Sequence, residues 1–281
     1  FSEEQIQKYI EGLVTTTPII AFSRENAAER NVISGPISSG RPLDKVGGGY
    51  EVKSKAGYFK STSYLTLPSF TSFYNYSVRE QRTAGYMMFT LSSVNKTPID
   101  IGISYSKGNS NSDTPRFYLF YYDPSNTSTN PNDAGGVAKF KEYPISTPIS
   151  QGQNVYVKIE KIDSGEMNGY TKFTVMNATD FSQVYGHLYY YMGSRFPSST
   201  GEINRQITLC DGSGQFTNGT HMNNAVFWQS WLYASSGYNS APNGTNTVST
   251  RRGAFSDEDG ATDVTVNWYS PWNEESVNIS F

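Results

Sequence analysis

Cysteine and charge are both scarce in this sequence, and each shortage excludes a class of protein. Cys210 is the single cysteine in 281 residues, which excludes an intrachain disulfide framework and a zinc site built from several cysteines. Charged residues make up 17% of the chain and give a net charge of -3, with no basic run that could displace counterions from phosphates. We therefore expect no nucleic-acid partner.

Long apolar runs are absent as well. No stretch of the sequence approaches the roughly 18 consecutive apolar residues that a membrane-spanning helix requires. The chain begins at Phe1 rather than at methionine, which favours a processed protein whose signal peptide has been removed. Because the remaining polarity comes from Ser, Thr, Asn and Gly, we interpret the chain as a secreted bacterial protein, extracellular or at the cell surface.

Aromatic residues are abundant instead, at 15% of the chain with 21 tyrosines. From about residue 48 onward, apolar and aromatic residues alternate with polar ones in short runs, and turns rich in Gly, Asn and Pro separate the runs. About a dozen such runs follow one another with no helical pattern between them. The sequence therefore predicts an all-β fold in which two antiparallel sheets pack as a β-sandwich.

The first residues have a different pattern. The stretch FSEEQIQKYIEGL predicts a helix, because Ser2 and Gln5 form a capping box and the apolar residues from Ile6 onward fall on one face. We expect residues 1–45 to be a short helical and extended segment packed on the sandwich, and residues 46–281 to form the sandwich domain.

The order of the predicted strands resembles that of one known fold family. A strand AGYMMFTLSS is followed by IDIGISY, by RFYLFYYD, and by a hairpin made of NVYVKIEKI, DSGEMNG and YTKFTVMN. This order is similar to that of the concanavalin A-like jelly rolls, a family of lectins and glucanases, over roughly residues 48–281. The resemblance implies a jelly roll, but a fold does not assign a function, so each candidate site is weighed separately.

The resemblance to glucanases does not extend to their chemistry. Glucanases of this fold carry a strand with the pattern E-x-D-x-E, whose acids all lie on one face. The corresponding strand here, PIDIGISY, has Asp100 followed by Gly102 and Ser104 at the two-residue steps. One acid cannot replace the two carboxylates that retaining glycosidases use. We therefore interpret this strand as scaffold.

The run QVYGHLYYYMGSR predicts a face that is both polar and aromatic. Strict alternation places Tyr185, His187, Tyr189 and Tyr191 on one face of a strand, and Arg195 follows it. Aromatic rings offer flat apolar faces to sugars, while hydroxyl and imidazole groups bond to sugar hydroxyls. The leading hypothesis is a non-catalytic protein that binds a polysaccharide or a cell-surface glycan at this face.

A second aromatic candidate lies in NAVFWQSWLYAS. Alternation places Trp228 and Trp231 on opposite faces of the strand, so only one of them can join the binding face. Trp231 shares its face with Gln229 and Tyr233, a mixture of ring and polar groups. We therefore add Trp231 to the candidate ligand-binding residues.

The first alternative is a polysaccharide lyase that acts by β-elimination on a uronate-containing glycan. Such an enzyme neutralises a carboxylate with Arg, Gln or Asn and removes a proton with His or Tyr. The candidates are His187, Arg205 and Gln206, with Tyr170 and Lys172 in YTKFTV. They resemble the alginate-type lyase motifs Q-x-H and Y-x-K-x-G, although RQI lacks the His and YTKFT lacks the Gly. The second alternative is a structural or assembly protein, because tyrosine-rich faces also fill cores and cross-strand pairs.

An acidic run, SDEDGATD, is the candidate metal site. It places Asp257, Asp259 and Asp263 around Gly260, and closely spaced carboxylate oxygens on a loop suit Ca²⁺. The run lacks the twelve-residue spacing of an EF-hand. We predict no other cofactor.

Overall fold

In a computed structural model, most of the described residues form β-strands. The described residues are 47–77, 82–93, 96–108, 114–126, 138–211, 219–254, 263–270 and 272–281. The predicted segment 1–45, with its helix, lies outside the described residues, so the division of the chain into that segment and a sandwich domain stays a prediction. In the described part, no helix is long and apolar enough to cross a membrane.

Within the described residues, sixteen strands follow one another. They are β1 (Gly47–Ser54), β2 (Tyr58–Thr66), β3 (Ser69–Thr71), β4 (Thr83–Ser92), β5 (Ile99–Ser106), β6 (Arg116–Tyr122), β7 (Phe140–Pro144), β8 (Asn154–Lys161), β9 (Tyr170–Asn177), β10 (Val184–Tyr191), β11 (Glu202–Asp211), β12 (His221–Ala234), β13 (Asn239–Ser240), β14 (Thr247–Ala254), β15 (Asp263–Ser270) and β16 (Glu274–Ser280). A 3-10 turn, Gly193–Arg195, follows β10.

The strands divide into two antiparallel sheets. The seven-stranded sheet has the order β14-β1-β11-β4-β5-β6-β7. The nine-stranded sheet has the order β10-β9-β8-β2-β12-β16-β15, and the short strands β3 and β13 also pair with β12. This arrangement confirms the predicted all-β sandwich of two antiparallel sheets, built as a jelly roll.

Alternating side chains from both sheets fill the space between them. In β4, Met87, Phe89 and Leu91 point into this core, each at most 1% exposed. Phe89 meets Phe173 and Phe227 of the opposite sheet, with ring centroids 6.2 and 5.8 Å apart. Burying one such ring contributes about 1.5–3 kcal/mol relative to leaving it exposed. Because every second side chain of a strand lies on the same face, alternating apolar residues bury one whole face of each strand between the sheets.

A second apolar cluster covers part of the outer face of the nine-stranded sheet. Phe181, in the loop between β9 and β10, folds over Tyr64 and Tyr156, and Tyr64 stacks on Trp228 at 4.4 Å between ring centroids. These residues are each at most 4% exposed. The loop therefore closes this part of the outer face and leaves the edge formed by β9 and β10 beyond it.

Candidate functional site

Strand β10 is an edge strand of the nine-stranded sheet and presents three ring side chains outward. His187, Tyr189 and Tyr191 are all exposed, Tyr189 to 37% and Tyr191 to 59%. The intervening Leu188 and Tyr190 point into the core and are 7% and 8% exposed. The strand thus separates an apolar inner face from an aromatic outer face, as the sequence predicts.

A β-bulge removes Tyr185 from that outer face. The register between β10 and β9 shifts between Val184 and Gly186. Tyr185 is consequently buried in the core, 5% exposed, and its hydroxyl accepts a hydrogen bond from Gln153 Nε2 at 3.0 Å. The prediction that Tyr185 shares a face with His187 is wrong, because a bulge breaks the alternation that the prediction assumes.

Two residues of β9 complete the outer surface at this edge. The register places Lys172 opposite Tyr189 and Tyr170 opposite Tyr191. Lys172 Nζ lies 5.3 Å from the centroid of the Tyr189 ring, within the range of a cation–π interaction. Ring centroids lie 5.3 Å apart for His187 and Tyr189 and 5.2 Å apart for Tyr170 and Tyr191. We call these five residues the β9–β10 surface.

Two glycines support the ring of Tyr191. A Cβ on Gly169 would lie 3.0 Å from Tyr191 Cε2, and one on Gly193 would lie 3.4 Å from the same ring. Both glycines have positive φ, +85° and +55°, which L-residues with side chains rarely adopt. The turn before β9 and the 3-10 turn after β10 therefore meet under this ring and fix its position.

The polar groups of the β9–β10 surface are not engaged elsewhere. In the part of the chain that the structure describes, the hydroxyls of Tyr170, Tyr189 and Tyr191 have no hydrogen-bond partner. The same holds for the imidazole of His187 and for the ammonium of Lys172, whose contact is with the Tyr189 ring. Flat rings beside free donors and acceptors are the combination that a sugar requires.

Arg195 lies next to this surface, but its guanidinium is bound within the protein. Arg195 Nη1 donates to Asp123 Oδ2 at 2.7 Å and to Ser125 Oγ at 2.9 Å. The Tyr190 hydroxyl donates to the same Asp123 oxygen at 2.6 Å. Because Asp123 follows β6 of the seven-stranded sheet, this cluster fastens β10 to the opposite sheet. We therefore interpret Arg195 as an anchor of the surface rather than as a ligand residue.

Asp123 is ionised in this cluster. Burial alone would raise the pKa of its carboxyl, but hydrogen bonds from Ser125, Tyr190 and Arg195 lower that pKa below its ordinary value. The pKa of the Tyr190 phenol is raised, first by burial and then by the adjacent Asp123. The Tyr190 hydroxyl therefore stays protonated and acts as a hydrogen-bond donor.

The similarity of this chain to known proteins is a similarity of fold alone. No protein-family model and no curated protein matches the sequence. Among solved structures, the chain is similar to a Scytalido-glutamic peptidase bound to a peptide-based transition-state analog, at 10% identity and a TM-score of 0.44 over 85% of this chain and 98% of that one.

Two other solved structures have lower TM-scores. An alginate lyase, Aly36B, in complex with alginate trisaccharide matches at 13% identity and a TM-score of 0.30, over 70% of this chain and 94% of that one. A pentraxin from Limulus polyphemus matches at 10% identity and a TM-score of 0.31, over 61% and 71% of the two chains. These likenesses concern the β-sandwich alone.

The three residues proposed for a lyase do not form one site. His187 lies on the outer face of the nine-stranded sheet. Arg205 points between the sheets, and its side chain is 6% exposed. Gln206, the next residue, points to the outer face of the seven-stranded sheet, where its Nε2 donates to Thr90 Oγ1 at 2.7 Å. Since the three side chains occupy three different layers, they cannot act on one sugar together.

Arg205 instead joins the two sheets through the core. Its guanidinium donates to Glu275 of β16, to Ser230 of β12, and to the carbonyl oxygen of Trp272 at 2.8 Å. Burial raises the pKa of the Glu275 carboxyl to about 7, although the charge of Arg205 opposes this rise. Arg205 and Ser230 also line a small cavity between the sheets, with room for about one water molecule.

Trp231 lies on the outer face of the nine-stranded sheet, but far from β10. The register between β12 and β2 shifts between Trp228 and Trp231, and Gln229 within this bulge has a φ of 49°. Trp228 therefore points outward as well, which makes the prediction of opposite faces wrong. Four strand spacings of about 4.8 Å put Trp231 roughly 19 Å from His187. Trp231 is half-buried and does not contact the β9–β10 surface.

The strand of Asp100 has a structural role. Ile99, Ile101 and Ile103 of β5 point into the core. Asp100 points to the other face, where its carboxylate accepts a hydrogen bond from the Thr90 hydroxyl at 2.5 Å. The interpretation of this strand as scaffold agrees with these contacts.

The proposed calcium loop lies mostly outside the described residues. Asp257 and Asp259 are not among them, and Asp263 is an exposed residue at the start of β15. Within the described residues, His, Cys, Asp and Glu side chains form no group of three suited to a metal ion. The calcium site stays a prediction.

Proposed function

We propose that the protein is an extracellular, non-catalytic carbohydrate-binding protein and that the β9–β10 surface binds its glycan. One observation carries the proposal: three outward-facing tyrosines, a histidine and a lysine lie together at a sheet edge with their polar groups unengaged. A structural role for these side chains would place the rings in the core or their hydroxyls in hydrogen bonds. Neither holds in the described part of the chain.

The shape of the surface favours a sugar polymer rather than a small buried ligand. Among the described residues, its rings lie exposed on a sheet edge, so a bound chain would lie along them with one side facing solvent. Apolar ring faces would stack on sugar C–H groups, while the hydroxyls and the imidazole would bond to sugar hydroxyls. Each contact is modest, and affinity would come from several sugars bound at once.

Substitution of Tyr189 by Ala tests the proposal directly. We expect the affinity for a bound polysaccharide to fall roughly three- to tenfold, since an aromatic contact contributes about 0.5–1.5 kcal/mol beyond its area. Folding should be nearly unchanged, because Tyr189 is 37% exposed. Depletion of protein onto a panel of insoluble neutral and acidic polysaccharides measures the affinity, and the thermal midpoint measures folding.

A matched control is available on a remote turn. Tyr238 lies between β12 and β13 and is 70% exposed, so Tyr238→Ala removes an exposed tyrosine without touching the β9–β10 surface. This variant should bind like the wild-type protein. Equal affinity of Tyr189→Ala and the wild-type protein would remove the surface from consideration.

Two further readouts of the same experiment separate the alternative functions. New ultraviolet absorbance or new reducing ends in the supernatant would identify an enzyme and contradict non-catalytic binding. Self-association in solution without affinity for any polysaccharide would instead favour a structural or assembly protein.

A further inference from the structure

Among the described lysine and arginine side chains of β8, β9, β10 and the turns that follow them, all but one are paired with a carboxylate. On the neighbouring strand β8, Lys158 Nζ lies 2.8 Å from Glu160 Oε1, and Lys161 Nζ lies 2.8 Å from Asp163 Oδ1. At the other end of the surface, Arg195 is paired with Asp123 at 2.7 Å. Three local cations are therefore already neutralised.

Lys172 is the exception. It lies opposite Glu160 in the ladder between β8 and β9, but the Glu160 carboxylate is held by Lys158. In the described part of the chain, no carboxylate pairs with Lys172, and its ammonium contacts the Tyr189 ring alone. Its side chain is half-buried, so the charge sits at a defined position beside the aromatic rings.

A half-buried cation next to exposed rings suits an anionic sugar. The ring of the sugar would lie against Tyr189, and its acidic group would accept hydrogen bonds from Lys172 Nζ. Bonds to charged groups are stronger than bonds between neutral groups, so an acidic group here adds affinity that a neutral sugar lacks. The imidazole of His187 and the hydroxyl of Tyr189 add further polar groups within the same patch.

We infer that the β9–β10 surface selects anionic polysaccharides, with Lys172 pairing the carboxylate of a uronate or the sulfate of a sulfated sugar. This inference rests on the proposed function, because it assigns the ligand class of the same surface. In this inference Lys172 determines the preference for anionic sugars, while the tyrosines contribute affinity for anionic and neutral sugar rings alike.

Polymers that differ only in charge test the inference. Polygalacturonate and its fully methyl-esterified form share one sugar backbone, and a sulfated galactan and its desulfated form provide a second such pair. We expect the wild-type protein to bind the charged member of at least one pair roughly tenfold more tightly than its neutral counterpart. The pair that shows the preference identifies the acidic group, and added salt should reduce the preference.

Variants of Lys172 test whether this residue causes the preference for charged polymers. In Lys172→Met the charged and neutral forms should bind equally, whereas Lys172→Arg should keep the preference. Lys96→Met removes the same charge from an exposed turn between β4 and β5 and should change nothing. If Lys172→Met is poorly folded, the salt dependence of the wild-type protein and of Lys172→Arg still tests the role of charge.

The possible failures are distinct. Equal binding of the charged and neutral forms by the wild-type protein would overturn the inference and leave the proposed function standing. A preference that survives in Lys172→Met would overturn the role of Lys172. Binding to none of the polymers would remove both the inference and the proposed function.

Discussion

Replacing Arg205 by Met should lower the free energy of unfolding by about 3–5 kcal/mol, the range found when one partner of a buried ion pair is removed. The variant leaves Glu275, which is fully buried, without its cationic partner between the sheets. It also removes the hydrogen bonds that Arg205 donates to Ser230 and to the carbonyl oxygen of Trp272. Urea denaturation followed by tryptophan fluorescence measures the loss.

A double variant separates the charge from the packing. In Arg205→Leu/Glu275→Leu neither charge remains, so the free energy of unfolding should recover to within about 1–2 kcal/mol of the wild-type value. If Arg205→Met alone were as stable as the wild-type protein, the pair would not join the sheets in solution.

The pH dependence of the same pair has a definite sign. The Glu275 carboxyl has a pKa raised to about 7 in the folded protein, above its ordinary value of 4.5. The folded state therefore binds more protons than the unfolded state between these values, and stability due to this group falls as the pH rises from about 4.5 to 7. Glu275→Gln should flatten this part of the stability profile. Denaturation at pH 5 and pH 8 measures the difference.

Replacing Asp123 by Ala is the second substitution with a large expected effect. Asp123 is completely buried and accepts hydrogen bonds from Ser125, Tyr190 and Arg195. Because hydrogen bonds to charged groups contribute about 1.5–3 kcal/mol and Tyr190 would be left buried without its acceptor, we expect a loss of about 2–4 kcal/mol. Since the cluster fastens the end of β10, affinity for the glycan should fall as well.

The pH dependence of Asp123 is opposite to that of Glu275. Its pKa is lowered in the folded protein, so its contribution to stability is present above the ordinary carboxyl pKa and is lost as the pH falls through the lower folded value. Asp123→Asn keeps one acceptor and removes the charge, and it should lie between the wild-type protein and Asp123→Ala. A loss of stability in Asp123→Ala that is independent of pH would contradict an ionised Asp123.

Much of the fold follows from local sequence. The run PIDIGISY predicts β5, and the hairpin of β8 and β9 follows from two alternating runs around a turn rich in Gly and Asn. The outward orientation of His187, Tyr189 and Tyr191 also follows from alternation, because the register is regular from Gly186 to the end of β10.

The errors have one physical cause in common. Tyr185 and Trp228 both lie beside a β-bulge, where one extra residue reverses the face of every side chain on one side of it. Gly186, beside the first bulge, is a residue type that often marks a bulge inside a strand, whereas Gln229 gives no such signal for the second. A prediction that assumes strict alternation across a bulge therefore places the side chains beyond it on the wrong face of the sheet.

Partners distant in the sequence could not be assigned from the sequence either. Asp123 and Arg195 are 72 positions apart, and Arg205 and Glu275 are 70 apart, so only the packing of the two sheets brings them together. Lys172 lies opposite Tyr189 through the register between β9 and β10, which the bulge after Val184 shifts by one residue. That pairing, rather than similarity to a lyase motif, gives Lys172 its place in the surface.

The order of strands in the two sheets also determines how the chain assembles. β1 lies between β11 and β14, and β2 lies between β8 and β12, so each pairs with strands that come much later in the chain. Closing such long loops has an entropic cost before any contact repays it, and all-β domains of this kind fold in milliseconds to seconds or more slowly. During synthesis, β1 and β2 would leave the ribosome with both edges unpaired. We therefore expect this chain to depend on a chaperone to avoid aggregating through its earlier strands before the later ones have been synthesised.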